Sequence, residues 1–242
     1  MNLSFLKKNK VYKIYFRIKH VRGRQTTSEF QNEVKFYSQL IDKKNLIFDV
    51  GANHGDKSAI FLKVAEKVIA FEPDHSNCEF LNHRFFKKSN FTLVPKAVSN
   101  ETGKVTFFLV NDGSGLNTID QEHKDNLKIT SSYEVETTSL DEMIKKFGIP
   151  DFIKIDVEGH EISVLKGLTI PVKNISFEAN LPEKLNATLA CIKLLAKLNE
   201  NYKFNYGYDY GLISPSWLDE KDIFSFIEKT NEPYLNIYCK LI

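Results

Sequence analysis

The stretch Phe-Asp-Val-Gly-Ala-Asn-His-Gly at residues 48–55 decides the fold class of this chain. An apolar run that begins at Leu46 leads into it and predicts a short buried strand, and the stretch ends in a turn that contains Gly51 and Gly55. The two glycines stand four residues apart, so the turn lacks the Gly-x-Gly-x-x-Gly pattern of dinucleotide-binding sheets. No Gly-Lys-Ser/Thr follows, which excludes a P-loop. What remains is an acid, Asp49, near a strand end and a turn where backbone can approach a ligand closely.

Short apolar runs and helical patterns alternate along the rest of the chain. Further strands are predicted at residues 68–71, 91–94, 105–110, 152–157, 175–178 and 234–241. Helices are predicted at residues 29–42, 60–65, 78–86, 140–147, 162–168 and 185–198, and loops at 113–117 and 205–216. This alternation indicates an α/β sheet, mostly parallel, with helices on both faces.

The composition excludes several classes of protein. With 242 residues, 42% of them hydrophobic and 26% charged, the chain can bury a large core, so it is neither fibrous nor wholly disordered. A formal net charge of +2 gives no case for nucleic acid as a partner. Cys78, Cys191 and Cys239 form no Cys-x-x-Cys pair, which argues against a zinc ribbon or a redox pair. No apolar run could span a membrane and no secretory signal is visible, so we expect a cytoplasmic protein.

The first 24 residues differ from the rest in charge. They contain eight lysines and arginines and no acid, which leaves a net charge of −6 for the remainder. Apolar residues recur at helical spacing over residues 5–22. We favour a packed helix with a solvated charged face, and the alternative is peripheral contact of residues 5–24 with anionic lipid at the inner face of the membrane. We therefore divide the chain into an N-terminal basic helical extension, residues 1–45, and one domain, residues 46–242.

Glu72 ends the second predicted strand, 23 residues after Asp49. An acid about 20 residues beyond the first turn binds the ribose hydroxyls in nucleoside-binding sheets. The ligand indicated is a nucleoside that requires no phosphate site. S-adenosylmethionine fits this description, because its positive sulfur also tolerates nearby acids. The alternative interpretation is an ordinary surface carboxylate.

A second group of polar residues follows the strand predicted at 152–157. Asp156, Glu158, His160 and Glu161 place four ionisable side chains within six residues at a strand end. Such a group can take a proton, hold a metal or shape a polar pocket. The alternative is a helix N-terminus made acidic to suit its dipole, which accounts for Glu158 and Glu161 better than for Asp156 and His160.

The chain resembles the FkbM family of S-adenosylmethionine-dependent methyltransferases. The matching stretches are residues 48–55, 70–73, 138–141, 153–161 and 164–167, and their order and spacing match over about residues 46–180. The resemblance implies a Rossmann-like, seven-stranded class I methyltransferase sheet, mostly parallel, with a last antiparallel strand that residues 234–241 would supply. It also implies methylation of a hydroxyl, on a sugar of a surface glycan or nucleotide-sugar, or on a natural product.

The resemblance also implies roles for single residues. The methionine part of the cofactor would be surrounded by Asp49, Gly51, Asn53 and Gly55, and its ribose held by Glu72. Ala97 and Val98, after the third strand, would contact adenine. Asp156 would lie near the sulfonium and the substrate.

A hydroxyl is a poor nucleophile at neutral pH, so a general base is expected. The hypothesis is that His160 or Asp156 takes the proton, while Glu158 either orients His160 or joins Asp156 on a divalent metal. The three side chains share one face if residues 156–160 continue the strand, and they diverge if the chain turns after Val157.

Several alternatives remain open from the sequence. The acceptor could be a nitrogen or a protein side chain, or the protein could bind the cofactor without turnover; a nicotinamide-dependent oxidoreductase is disfavoured by the glycine spacing. The acceptor is expected to be a small molecule or a glycan, and the oligomeric state stays open. An aromatic group could stack on a sugar ring or form a core patch: Tyr202, Tyr206, Tyr208, Tyr210 and Trp217.

Overall fold

Five strands form the parallel centre of the main sheet: β1 (Leu46–Val50), β2 (Lys67–Phe71), β3 (Phe91–Val94), β7 (Phe152–Ile155) and β8 (Asn174–Asn180). The computed structural model describes residues 26–41, 45–110, 119 and 129–242. The helix predicted at 5–22, most of the basic extension and the loop predicted at 113–117 lie outside these residues. The central strands are apolar along most of their length because helices cover both faces of such a sheet.

The order of this sheet is β10-β9-β11-β8-β7-β1-β2-β3. The last strand, β11 (Tyr234–Leu241), is antiparallel to both β8 and β9 (Tyr202–Tyr208), as the predicted fold requires. A two-residue strand, β10 (Gly211–Leu212), adds an eighth, antiparallel edge to the seven strands expected. The predicted α/β methyltransferase sheet is therefore confirmed, with one short strand added.

A second sheet of three strands lies after β3. It contains β4 (Ala97–Val98), β5 (Gly103–Leu109) and β6 (Ser131–Thr138), in the order β4-β6-β5. The alternating pattern at 105–110 belongs to β5, which pairs antiparallel with β6, whereas β6 itself was not predicted. This sheet places Ala97 and Val98 beside the carboxyl end of the main sheet.

Seven helices connect the strands in the described part of the chain. They are α1 (Thr27–Leu40), α2 (Asp56–Val64), α3 (His75–Phe85), α4 (Leu140–Phe147), α5 (Glu161–Lys166), α6 (Leu185–Leu198) and α7 (Glu220–Ile227). Several begin at side-chain caps: Thr26 forms a capping box with Glu29, and Asp74 accepts from the backbone N–H groups of Ser76 and Asn77. None of these helices has both the length and the apolar composition that a membrane-spanning helix requires.

Helix α1 packs on the main sheet through aromatic side chains. Tyr37 is 1% exposed, and its ring meets Phe61 of α2 at 5.0 Å and Phe152 of β7 at 5.7 Å between centroids. Its hydroxyl donates to Asp209 Oδ1 at 3.1 Å, in the turn after β9. The division of the chain at residue 45 stays a prediction.

Two predicted boundaries are wrong where the chain makes turns. The strand predicted at 152–157 ends at Ile155, because Glu158 and Gly159 take positive φ angles of 55° and 102° and turn the chain into α5. The loop predicted at 205–216 contains the end of β9 and all of β10. Helix α7 was not predicted.

Candidate active site

A cavity of about 250 Å³ opens at the carboxyl ends of β1, β2 and β7. This is the edge at which open parallel sheets bind their ligands. Its walls are formed by Val50, Gly51, Ala52, Asn53, His54, Asp56, Lys57, Phe71, Glu72, Pro73, Asn77, Lys96, Ala97, Val98, Phe107, Ile119, Lys154, Asp156, Val157 and Glu158. Of the residues predicted to bind cofactor, six therefore line one cavity: Gly51, Asn53, Glu72, Ala97, Val98 and Asp156.

The glycine turn shapes the floor of this cavity. Gly51 has a φ of +78°, and a Cβ added there would lie 1.8 Å from the backbone oxygen of Asp156, so no side chain fits. Gly55 also has a φ of +78°, but its Cβ would meet Leu81 and Phe85 of α3. Gly51 thus brings the ends of β1 and β7 together, while Gly55 serves packing behind the cavity and is not among its wall residues.

Glu72 lies at one end of the cavity and is only 4% exposed. Its Oε2 accepts a hydrogen bond from the Asn53 backbone N–H at 2.7 Å, and its Oε1 accepts from the Asp74 N–H at 2.8 Å. Burial raises the pKa of Glu72 to about 7, although these two N–H groups act in the opposite direction. The Asn77 side chain also hydrogen-bonds to this carboxylate, which has about four acceptor sites, so about one stays open to a further donor.

Ala97 and Val98 lie near Glu72 in the wall of the cavity. Both are buried, at 5% and 2% exposure, and they belong to β4. Phe71 and Phe107 add apolar surface to the same wall, and Asn77 adds an amide. This end of the cavity combines a flat apolar surface with one carboxylate and one amide.

At the other end, Lys154 lies between two acids. Its Nζ is 2.9 Å from Asp156 Oδ2 and 3.9 Å from Asp49 Oδ1. Asp49 is fully buried and is not a wall residue; its Oδ2 accepts from the Ser58 hydroxyl at 2.6 Å. Asp49 therefore lies behind Lys154 and is not among the wall residues, and its predicted contact with the cofactor stays a prediction.

Asp156 and Glu158 meet a third carboxylate, Glu178 of β8. Oxygens of the three groups lie within 4.8 Å of one another. Burial raises the pKa of Glu158 to about 8, and the charges of Asp156 and Glu161 act in the same direction. Glu178 was not predicted, although it ends the strand predicted at 175–178, so the reasoning applied to Glu72 would have found it.

The turn that carries Glu158 is held by Glu161, whose Oε1 accepts from the backbone N–H groups of Val157 and Gly159 at 3.1 Å each. This contact fits the helix N-terminus interpretation of Glu161. Glu158 instead takes a φ of 55°, in the left-handed region that non-glycine residues seldom occupy. Its carboxylate is consequently part of the cavity wall.

His160 diverges from Asp156 and Glu158. Its Nε2 lies 3.1 Å from the hydroxyl oxygen of Ser99, and among the described residues it is neither a wall residue of the cavity nor a member of the carboxylate group. The turn at Glu158 and Gly159 breaks the alternation that would have put the three side chains on one face. Of the residues for which the sequence left a metal open, Asp156 and Glu158 therefore lie together with Glu178, whereas His160 lies apart from them.

The aromatic group divides into packing residues and exposed residues. Tyr202 is buried with its hydroxyl bonded to Val172, and the Tyr206 ring stacks on Phe226 at 3.6 Å. Trp217 packs in the cluster around α1. Tyr208 and Tyr210 stack on each other at 5.7 Å, and Tyr210 is 66% exposed. Asp209, between them in the chain, forms an ion pair with the wall residue Lys57 at 2.7 Å.

Two sequence comparisons find proteins similar to this chain. A family model described as the methyltransferase FkbM domain matches residues 49–210. The hexuronic acid methyltransferase AglP of Haloferax volcanii is 27% identical over 205 residues, which cover 79% of this chain and 80% of that protein.

Solved structures with a similar fold include a member of a methyltransferase family. The crystal structure of the methyltransferase FkbM from Methylobacillus flagellatus KT superposes with a TM-score of 0.54 at 17% identity. The match covers 86% of this chain and 47% of the other, so this chain spans about half the length of that protein.

Proposed function

The chain belongs to the FkbM methyltransferase family, and from that premise we propose that it is an O-methyltransferase that transfers the methyl group of S-adenosylmethionine to a hydroxyl of a sugar. The observation that carries the proposal is a single cavity with Glu72 at one end and Asp156 and Glu158 at the other. The similarity to a protein named as a hexuronic acid methyltransferase supports a sugar as the acceptor class.

The described residues fit the parts of S-adenosylmethionine. Glu72 would accept a ribose hydroxyl hydrogen bond at the acceptor site that its contacts with Asn53, Asp74 and Asn77 leave open. Ala97 and Val98, with Phe71, offer the apolar surface that an adenine ring requires. Gly51 and Asn53 would lie along the methionine part, and Asp156 would face the positive sulfur.

We assign the general base to Glu158. When bound, S-adenosylmethionine supplies a methyl group already activated on its sulfonium. As the acceptor oxygen bonds to the methyl carbon and the carbon–sulfur bond breaks, the hydroxyl proton passes to a carboxylate oxygen of Glu158. Glu158 suits this task because it lines the cavity and its pKa of about 8 lies close to neutral pH. His160, hydrogen-bonded to Ser99, would support the wall without taking the proton.

Positive charge is already present beside the carboxylates. The Lys154 ammonium group lies 2.9 Å from Asp156 and offsets part of the negative charge for which a divalent metal would otherwise be needed. We therefore propose methyl transfer without an added metal. Turnover that is retained in EDTA supports this assignment, and turnover that EDTA abolishes and Mg²⁺ restores contradicts it.

The acceptor is proposed to lie against Tyr208 and Tyr210. Aromatic rings provide flat apolar surface on which the face of a sugar packs. Tyr210 is 66% exposed, and Tyr208, whose hydroxyl donates to Glu232 at 2.8 Å, is half-buried. Tyr234, which is 36% exposed, interacts electrostatically with Asp156, Glu178 and Asp209, and Asp209 stands between the two tyrosines in the chain.

The variant Glu158→Gln tests the base. The amide keeps the shape of the side chain but takes no proton, so we expect kcat to fall by about 10²–10⁴-fold. Turnover is measured with methyl-labelled S-adenosylmethionine and a panel of glycosides, followed by identification of the methylated atom. Binding of S-adenosylhomocysteine, measured by calorimetry, should stay within about threefold, since Glu72 holds the opposite end of the ligand.

Glu228→Gln, an exposed change on the end of α7, is the matched control and should leave both quantities unchanged. Full turnover in Glu158→Gln would mean that another residue is the general base. Methylated nitrogen or protein in place of methylated sugar would replace the acceptor class, and cofactor binding with no transfer to any acceptor would indicate a binding protein.

A further inference from the structure

Lys154 occupies an unusual position for a lysine. It lies in the middle of the main sheet on β7, is 8% exposed, and stands directly opposite Asp49 of β1 in the parallel register. Burial alone would lower the pKa of Lys154, but the carboxylates of Asp156 and Asp49 outweigh burial and raise it. The side chain is therefore a fixed positive charge in the wall of the cavity.

Asp49 explains why the lysine is held there. The Asp49 carboxylate is fully buried, and within the described residues its Oδ1 accepts no hydrogen bond. A buried carboxylate in this state needs a nearby positive charge, and the Lys154 Nζ lies 3.9 Å from that oxygen. Ser58 fixes the other oxygen, Oδ2, at 2.6 Å. Asp49 thus orients Lys154 from behind, and the ammonium group points on toward Asp156.

We infer that Lys154, oriented by Asp49, is a positioning residue for methyl transfer: it holds Asp156 in an ion pair and leaves Glu158 as the carboxylate that meets the acceptor hydroxyl. The inference rests on the proposed function, since it explains why one of two neighbouring acids, Asp156, forms an ion pair and the other, Glu158, accepts the proton. The sequence analysis assigned Lys154 no role, because a lysine in an apolar strand is ordinarily interpreted as a solvent-exposed residue at an edge or on the surface.

The different roles of Asp156 and Glu158 follow from the charges around them. Asp156, Glu158 and Glu178 have oxygens within 4.8 Å of one another, so their negative charges oppose one another. Burial and the charge of Asp156 raise the pKa of Glu158, and the positive charge of Lys154 lowers it. Without it, Glu158 would hold its proton to higher pH and would act as a base over a narrower range. The ionisable groups that interact electrostatically with Lys154 are Asp49, Asp156, Glu158, Asp209 and Tyr234.

The test removes the Lys154 charge without leaving Asp49 unpaired. Lys154→Met alone strands a buried carboxylate and is expected to fold poorly, so the informative protein is the double variant Asp49→Asn with Lys154→Met. Its matched control is Asp49→Asn, which keeps the ion pair to Asp156. Lys154→Arg keeps the charge and serves as the rescue.

The primary measurement is the pH dependence of kcat. We expect the acidic midpoint of the double variant to lie about one pH unit above that of Asp49→Asn, because a nearby positive charge lowers a carboxyl pKa by about that much or more. Lys154→Arg should keep the wild-type midpoint. If Lys154 had a purely structural role, its replacement would lower thermal stability or kcat and leave the midpoint unchanged. Equal midpoints in the double variant and in Asp49→Asn overturn the inference.

A second measurement needs no acceptor. Glutamate carboxyl carbons labelled with ¹³C are titrated by NMR in the same proteins, and the Glu158 signal, assigned through Glu158→Gln, is compared. A higher titration midpoint in the double variant supports the inference even if no sugar is methylated, in which case only the proposed function fails. An unchanged Glu158 midpoint rejects the role of Lys154 whatever the acceptor proves to be.

Discussion

Glu72 is the residue at which the cofactor proposal can be tested most directly. Its two oxygens accept from the N–H groups of Asn53 and Asp74, so the amide of Glu72→Gln must turn its NH₂ group toward one of these donors. A hydrogen bond to a charged group contributes about 1.5–3 kcal/mol, and we expect the dissociation constant of S-adenosylhomocysteine to rise by about 10–100-fold. Calorimetry measures it, with the exposed Glu79→Gln of α3 as a control that should bind normally.

The same carboxyl predicts a pH dependence of binding. Burial raises the pKa of Glu72 to about 7 in the free protein, and hydroxyl donors from a ribose favour its charged form. Binding should then lower this pKa and release a proton, so affinity is full above about pH 7 and falls by about tenfold per unit below it. Wild-type affinity that stays level from about pH 5.5 to 8.5 contradicts the role of Glu72. The Glu72→Gln protein should show that level profile.

Sequence reasoning located some site residues and missed others for physical reasons. Glu72 was identifiable because strand ends converge at one edge of a parallel sheet. The position of His160 relative to Asp156 was left open, because side-chain identity did not predict the left-handed turn at Glu158 and Gly159 that separates them. Lys154 was missed because its significance depends on cross-strand pairing with Asp49, which belongs to the tertiary structure.

At the scale of elements, α1 is part of the packed core. Tyr37 is almost fully buried between α2 and β7, so Tyr37→Ala should lower the free energy of unfolding by about 3–5 kcal/mol. Lys35→Ala, on the exposed face of the same helix, should change it by less than about 0.5 kcal/mol. Urea unfolding followed by fluorescence measures both. Equal, small effects would mean that α1 contributes little to the folded domain.

The bounds of helices and strands were predicted correctly where the apolar periodicity and the flanking residues indicated the same ends. Helices α4 and α6 and strand β11 were predicted with the bounds they have, because apolar periodicity and flanking polar residues coincide there. Strand β6 was missed because most of its side chains are polar, and half of them are exposed. Residues 205–208 of strand β9 were interpreted as loop because the stretch 205–216 is rich in tyrosine and glycine, although Asn205 and Gly207 are buried and pair with β11.

Across the whole molecule, charge is distributed unevenly around the cavity. The three lysines among its described wall residues, Lys57, Lys96 and Lys154, are each paired with carboxylates. Lys57 lies between Glu33 and Asp209, at 2.5 Å and 2.7 Å. Asp156, Glu158 and Glu178 add further negative charge on the side proposed for the acceptor. This balance favours an acceptor without negative charge.

We therefore predict that an uncharged sugar is a better acceptor than an acidic one. For the matched pair p-nitrophenyl glucoside and p-nitrophenyl glucuronide, kcat/KM should favour the glucoside by about tenfold or more, because like charges brought together cost several kcal/mol. The difference should shrink in Glu178→Gln and persist in Glu228→Gln. A preference for the glucuronide would contradict the prediction, and would bring this protein closer to its hexuronic acid relative than its cavity suggests.

The left-handed turn at Glu158 also has an evolutionary consequence. A non-glycine residue in that region costs about 1–3 kcal/mol, which glycine would recover. A laboratory selection for heat resistance alone should therefore enrich glycine or asparagine at position 158, in proteins that survive higher temperatures and transfer methyl groups poorly. The glutamate that this protein has at position 158 would then be explained by selection for turnover, which tolerates a strained backbone in order to keep the carboxylate.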